Sequence, residues 1–284
     1  MIYLILSIAS STCVLIIFRK MKDHGANISH TIMISYFIST LCGLGFFSSG
    51  VSDFSSVWAE PWFWPAAIEG IGFYLVFISI AKATQKNGVA VASIAGKMSV
   101  VIPIAMGVLL LNESITGFKM LGVFAGILAV LLSVSGTLGV KDMKWPLLVF
   151  IGSGVIDASL KIFEQWLRSP EQFPMLITII FAFALLSALS HHIVSGQGKV
   201  EMVSVLSGLV LGVANFGTVY FLLQALALPK WESSVIYAVN NFGVVIFSIL
   251  VGMVFFREKP GLRGWFGFAL AIASIGMIFR GAFV

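Results

Sequence analysis

The chain has 284 residues, of which 59% are apolar and only 10% charged, with a formal net charge of +5. Soluble domains carry about 25% charged residues, and a globule as apolar as this one has too little polar surface to cover its core. A mean hydropathy of +1.04 agrees, so soluble, fibrous and disordered chains are excluded and a polytopic membrane protein remains.

A helix crosses the hydrocarbon core with about 20 mostly apolar residues. That ruler predicts ten spans, at about 1–18, 28–49, 61–82, 88–111, 118–139, 145–167, 173–194, 203–226, 233–255 and 262–281. The gaps hold the punctuation, such as Arg19-Lys20-Met21-Lys22-Asp23, Gln85-Lys86-Asn87-Gly88, Lys141-Asp142-Met143-Lys144 and Arg257-Glu258-Lys259-Pro260-Gly261. Short connections make neighbouring spans antiparallel and leave no room for a soluble domain. The alternating segments of a membrane barrel are missing, so the fold class is all-α. No basic residue precedes the first span and no A-x-A site follows it, so it reads as a retained helix rather than a signal peptide.

The bases sit in short loops with no stripe or motif for nucleic acid, and orientation explains them better. Arg19, Lys20, Lys22, Lys82, Lys86, Lys141, Lys144, Lys199, Arg257, Lys259 and Arg263, eleven in all, fall on one side. Lys119, Arg168, Lys230 and Arg280, four in all, fall on the other. The asymmetry predicts a multi-pass protein of the cell (inner) membrane with both termini outside.

Sliding the chain by 145 residues superimposes its halves without a gap. Gly72/Gly217, Gly107/Gly252, Glu113/Glu258 and Gly122/Gly267 coincide, with Leu15/Leu160, Phe18/Phe163 and Val100/Val245 among the apolar matches. Five spans per half is an odd number, so the second half enters the membrane upside down. The expected organisation is therefore two inverted five-helix repeats, 1–140 and 141–284, with a site near the midplane. On these features, and on the stretches Ala81–Leu132 and Ala225–Met277, the chain resembles the drug/metabolite transporter superfamily, specifically its EamA-like proteins. Each stretch has a long apolar helix, a glutamate at its end and a glycine-rich helix. A glycine commonly precedes that glutamate in the family; here Asn112 and Arg257 do. The resemblance implies a ten-helix transporter, and family exporters typically keep both termini in the cytoplasm, opposite to the charge count.

Glu113 and Glu258 each precede a new helix, where a carboxylate complements the N-terminal dipole by about 0.3–1 kcal/mol. Gly122-x-x-x-Gly126 and Gly208-x-x-x-Gly212 read as close-packing faces, within the chain or between subunits. Trp58, Trp62, Phe63 and Trp64 read as an interfacial belt.

The informative residues are polar and deep. Asp157 lies roughly 18 Å along its helix from Trp145, Lys97 roughly 14 Å into the fourth span and Glu69 roughly 12 Å into the third. A charge at such depth costs about 2.5–3.5 kcal/mol and marks a functional site by default. Asp157, Lys161 and Glu164 share one helix face at i, i+4 and i+7, so Asp157 and Lys161 can pair on their own helix. Glu69 and Lys97, on adjacent spans, can pair similarly. Asn215, Tyr237, Asn240 and Asn241 add hydrogen-bonding groups, and Pro103 frees a carbonyl near Ser99. The expected substrate site is Lys97, Asp157, Lys161, Asn215, Tyr237, Asn240 and Asn241. Glu69 is the expected proton-coupling group, because a pair spanning two helices can open and close.

These features favour a secondary active transporter of a small polar metabolite, amino-acid-like or otherwise zwitterionic, working by alternating access. No Walker loop supplies ATP, and no metal or cofactor is expected. A multidrug exporter is the alternative, with a channel or an intramembrane enzyme more remote. Gly152-Ser153-Gly154 looks like part of a rhomboid serine motif, but Ile151 stands where that motif needs glycine. The expected partners are a small-molecule substrate and the lipid bilayer, with oligomeric state open.

Overall fold

A computed structural model of the chain describes residues 2–47, 54–103, 116–135, 143–167, 172–196, 198–226, 233–259 and 261–281. The described residues are helical almost throughout. The helices are α1 (Ile2–Asp23), α2 (Ile28–Phe47), α3 (Phe63–Asn87), α4 (Val89–Met98), α5 (Gly117–Ser135), α6 (Lys144–Trp166), α7 (Phe173–Val194), α8 (Met202–Leu226), α9 (Ser233–Phe256) and α10 (Leu262–Gly281), with a 3₁₀ turn at Phe54–Ala59. Proline placement follows from its missing N–H. Pro65, Pro146 and Pro174 stand in the first turns of α3, α6 and α7, where no backbone donor is needed. Gly25 and Gly196 take positive φ just beyond α1 and α7, the left-handed step that ends a helix.

Six of these helices are long and apolar enough to cross a membrane: α1, α2 over Ile28–Gly45, α3, α7, α8, and α9 over Val239–Phe256. Shorter apolar stretches are Val89–Pro103, Met120–Ala129 and Leu262–Ile278. The ten expected spans are thus matched only in part among the described residues, because 104–115 and 136–142 lie outside them. Large apolar side chains such as Ile68, Leu75, Phe124, Val254 and Phe255 are exposed. An apolar exterior on helices with internally satisfied backbones is the make-up of a membrane-embedded protein.

The helices form two compact units, Met1–Ile78 with Ser159–Ala227, and Ser79–Ala158 with Leu228–Val284. Neither coincides with a sequence half, since each draws helices from both 1–140 and 141–284. In the first unit α2 packs on α7 and α8, and α1 on α8. Gly208 and Gly212 make this possible: a Cβ on either would meet Ile34 or Ile38 at 2.6 Å. Ser39 donates to Gly212 O (2.9 Å), Ser7 to Thr218 O (3.1 Å) and Asn27 N–H to Ser204 Oγ (3.0 Å). In the second unit α5 packs on α10, α4 on α9, and α4 on α5. Gly122 lies against Ile278 and Ser274, whose hydroxyl donates to Gly122 O at 2.6 Å, and Gly126 against Ser274, Val101 and Met98. Both glycine faces are therefore spent inside the chain.

The aromatic belt divides. Trp58 and Trp64 are 63% and 61% exposed, while Trp62 and Phe63 are 0% and 2% exposed and belong to the core. Phe63 touches the rings of Trp58, Trp64 and Phe183, so it ties the belt to α7.

Candidate functional site

The helix α4 starts on a borrowed carboxylate. Gly88 has φ 99° and no capping side chain of its own, and the first N–H of the helix, Val89, donates to Glu258 Oε1 at 2.8 Å. Glu258 therefore complements the dipole of α4, not of α10, the next helix in the chain, as its sequence position had implied. The cause is the turn after α9. Glu258 N–H donates to Gly252 O (2.9 Å) and Arg257 takes φ 52°, which turns the glutamate back over Gly252 toward Gly88.

At its other end α4 breaks. In a continuous helix Ser99 C=O would accept from residue 103, but Pro103 has no N–H. Ile102 N–H takes the carbonyl instead at 2.8 Å, one residue early, in a 3₁₀-type bond. The Ser99 hydroxyl points to Gly96 O (2.5 Å) and to Asp157 Oδ2 on α6 (3.3 Å). Lys97, in the last turn of α4, complements the negative end of the helix. Its ammonium and the Asp157 carboxylate lie close enough for their charges to act on each other. One glycine lets the segment after α4 approach α6: a Cβ at Gly154 would collide with Ile102, whereas one at Gly96 would make an ordinary 3.5 Å contact with Val149. Ser153, next to Gly154, lies in this same contact, 3.9 Å from that Gly96 position.

The charge that acts on Lys97 is that of Asp157 on α6. A third helix, α9, packs on α4. Val89 meets Glu258, Ala90 approaches Gly252 and Ser93 Oγ reaches Val244 O at 3.5 Å, so α4 and α9 run antiparallel. Further along α9, Asn240 is buried and its Oδ1 has no hydrogen-bond partner among the described residues. Lys97 and Asp157 are half-buried.

The other expected site residues are distributed over both units. Asn241 is buried beside Asn240 on α9. Glu69 and Asn215 are buried in the first unit. Glu69 lies beside Gly70, which abuts Phe183 and Ala184 of α7, and Asn215 lies where α8 packs on α1 and α2. Lys161 and Tyr237 are on α6 and α9, but their side chains lie outside the described residues, as does that of Glu164. Sequence reasoning placed a freed carbonyl near Ser99 but missed the approach of its hydroxyl to Asp157. The signal was Pro103, whose i−4 carbonyl marks the residue at which the helix must open.

His191 Nδ1 and Tyr74 Oη are 2.8 Å apart, and His192 stacks edge-on against His30. Among the described residues no group of three His, Cys, Asp or Glu side chains is placed to hold a metal ion.

No known family description matches the chain. It is similar to an uncharacterized protein of Haemophilus influenzae, with 26% identity over 206 residues, 70% of this chain and 69% of that protein. It also shares the fold of a protein of known crystal structure, with a TM-score of 0.62, 15% identity and 96% of each chain covered.

Proposed function

We propose that the chain is a secondary active transporter of a small zwitterionic or charged metabolite, working by alternating access through two inverted five-helix halves, 1–140 and 141–284. The observation that carries the reading is the half-buried Lys97–Asp157 pair beside the break in α4. An acid and a base at one level complement the ammonium and carboxylate of a zwitterion. Without ligand they offset each other; with ligand, each exchanges its internal partner for a group of the substrate. That exchange frees α4 to move relative to α6, which couples occupancy to conformation. The pair also spans two helices, so the proton affinity of Asp157 can differ between inward- and outward-facing states. Coupling by Asp157 is therefore favoured over coupling by Glu69.

Helix pairing supports the inverted repeat. A shift of 145 residues maps α2 onto α7, α4 onto α9 and α5 onto α10, and each of these counterparts packs on the other. Each pair is antiparallel, as His30–His192 with Gly43–Thr178, Val89–Glu258 with Ser93–Val244, and Phe118–Arg280 with Gly126–Ser274 indicate. Counterparts related by an axis in the membrane plane must run antiparallel. The resemblance to EamA-like transporters points the same way, and the basic side, with both termini opposite it, is taken as cytoplasmic.

The test is uptake of a metabolite panel into proteoliposomes under an imposed pH gradient, with Lys97→Gln and Asp157→Asn beside the parent. Saturable, trans-stimulated uptake that both variants lose is the expected result. Flux that rises linearly with concentration, or full pH-driven accumulation in folded Asp157→Asn, overturns the reading.

A further inference from the structure

We infer that the end of α3 and the start of α6 form a binding site for the phosphate of an anionic phospholipid. Three ammonium groups converge on one aromatic ring there. Lys82, Lys86 and Lys144 place their Nζ atoms 4.4, 5.9 and 5.2 Å from the centroid of Trp145. A ring face attracts one cation within about 6 Å, but three that share it repel one another. Lys82 and Lys86 are also i, i+4 neighbours of like charge, a destabilising spacing on a helix.

Among the described residues the nearby carboxylate of Glu258 is taken up by the Val89 N–H. No ion pair engages any of the three lysines among the described residues, and Lys141-Asp142, next along the chain, adds no net charge. The C-terminal end of α3 favours a cation at Lys86, but Lys144 stands at the positive end of α6. Lys82 is half-buried with Trp145, while Lys86 and Lys144 are exposed. An anion bridging the three would relieve all of these repulsions together.

The position selects a lipid. Trp145 opens a helix whose next turn exposes Leu147 and Leu148, so the ring sits where an aromatic belt residue meets the headgroups. An acyl chain can lie along those leucines while its phosphate meets the lysines. Basic pockets between helix ends at the cytoplasmic face recognise anionic headgroups in this way.

The experiment compares the protein in discs of pure phosphatidylcholine with discs containing phosphatidylglycerol, by thermal unfolding and by native mass spectrometry of retained lipid. Phosphatidylglycerol should raise the unfolding midpoint and remain bound. Each lysine removed should weaken that binding about fivefold, so Lys82→Gln/Lys86→Gln/Lys144→Gln loses the preference. The corresponding triple arginine variant should keep it, which guards against loss through misfolding. Lys199→Gln/Arg280→Gln, two exposed bases elsewhere, should leave it intact. Retention of the preference by the triple glutamine variant, or equal loss in the distant pair, overturns the site. Equal stabilisation by inorganic phosphate in pure phosphatidylcholine discs overturns the lipid assignment.

Discussion

The carboxylate of Glu258 occupies the space that two glycines leave open, and a sign reversal tests this. It accepts the Val89 N–H at 2.8 Å, and a Cβ at Gly252 would stand 2.6 Å from its Oε2. Glu258→Gln keeps an acceptor but removes the charge at the helix start, for a cost of about 0.5–1 kcal/mol. Glu258→Ala also removes the hydrogen bond and should cost about 2 kcal/mol. Gly252→Ala gains up to about 1 kcal/mol of helix propensity, but in the parent it must displace the carboxylate, so its net effect should be destabilising. In the Glu258→Ala background the space is empty, and the same change should become neutral or stabilising, a coupling of about 1–2 kcal/mol. Unfolding in detergent, followed by circular dichroism for the four members of the cycle, measures it. If Gly252→Ala costs the same in both backgrounds, Glu258 is not what fills that space.

Neutralising one member of the Lys97–Asp157 pair leaves a charge without its partner, so Asp157→Asn and Lys97→Gln should each lower stability by about 2 kcal/mol, with the double variant less affected than their sum. Additive losses in the same unfolding measurement would refute the pairing. Gly122→Val, placed against Ser274 O and Ile278, should cost about 3 kcal/mol, whereas the same change at Gly276, which has open space, should cost far less. Pro103→Ala restores a donor for Ser99 C=O, so it should raise the unfolding midpoint while slowing uptake; a faster or unchanged uptake would detach the break in α4 from transport. A reporter fused after Val284 should report the outside, and a cytoplasmic signal would refute the orientation.

Hydrophobic length made the helices legible, because about 20 apolar residues in a row have few other uses. The partners of the charges were not legible in the same way. Asp157 and Lys161 are close along one helix, and periodicity favours that pair, yet the charge of Lys97 acts on Asp157 from a helix about sixty residues away. Nothing local encodes that proximity; it depends on tertiary packing, such as Gly154 leaving room for Ile102. Glu258 carries the same lesson. Its distance from Leu262 in sequence is short, but the left-handed Arg257 turns it toward Val89 instead. The glycine faces were recognisable as packing surfaces, while their occupants, Ile34 and Ile38 or Ser274 and Ile278, are fixed by tertiary pairing.

These contacts give the two ends of α4 opposite mechanical characters. Its first N–H is held by a carboxylate from the turn after α9, so the start of α4 moves with α9. Its last turn has no such tie: Ser99 bonds one residue early and shares its hydroxyl between Gly96 and Asp157. Lys97 lies between the anchored start and the break. A displacement of α6 would therefore stretch the Ser99 contact to Asp157, and weaken the attraction of Lys97, before it disturbed the Val89 cap. The charge pair is the compliant joint of the unit, and a ligand that replaces its internal contacts acts where the least structure must be broken.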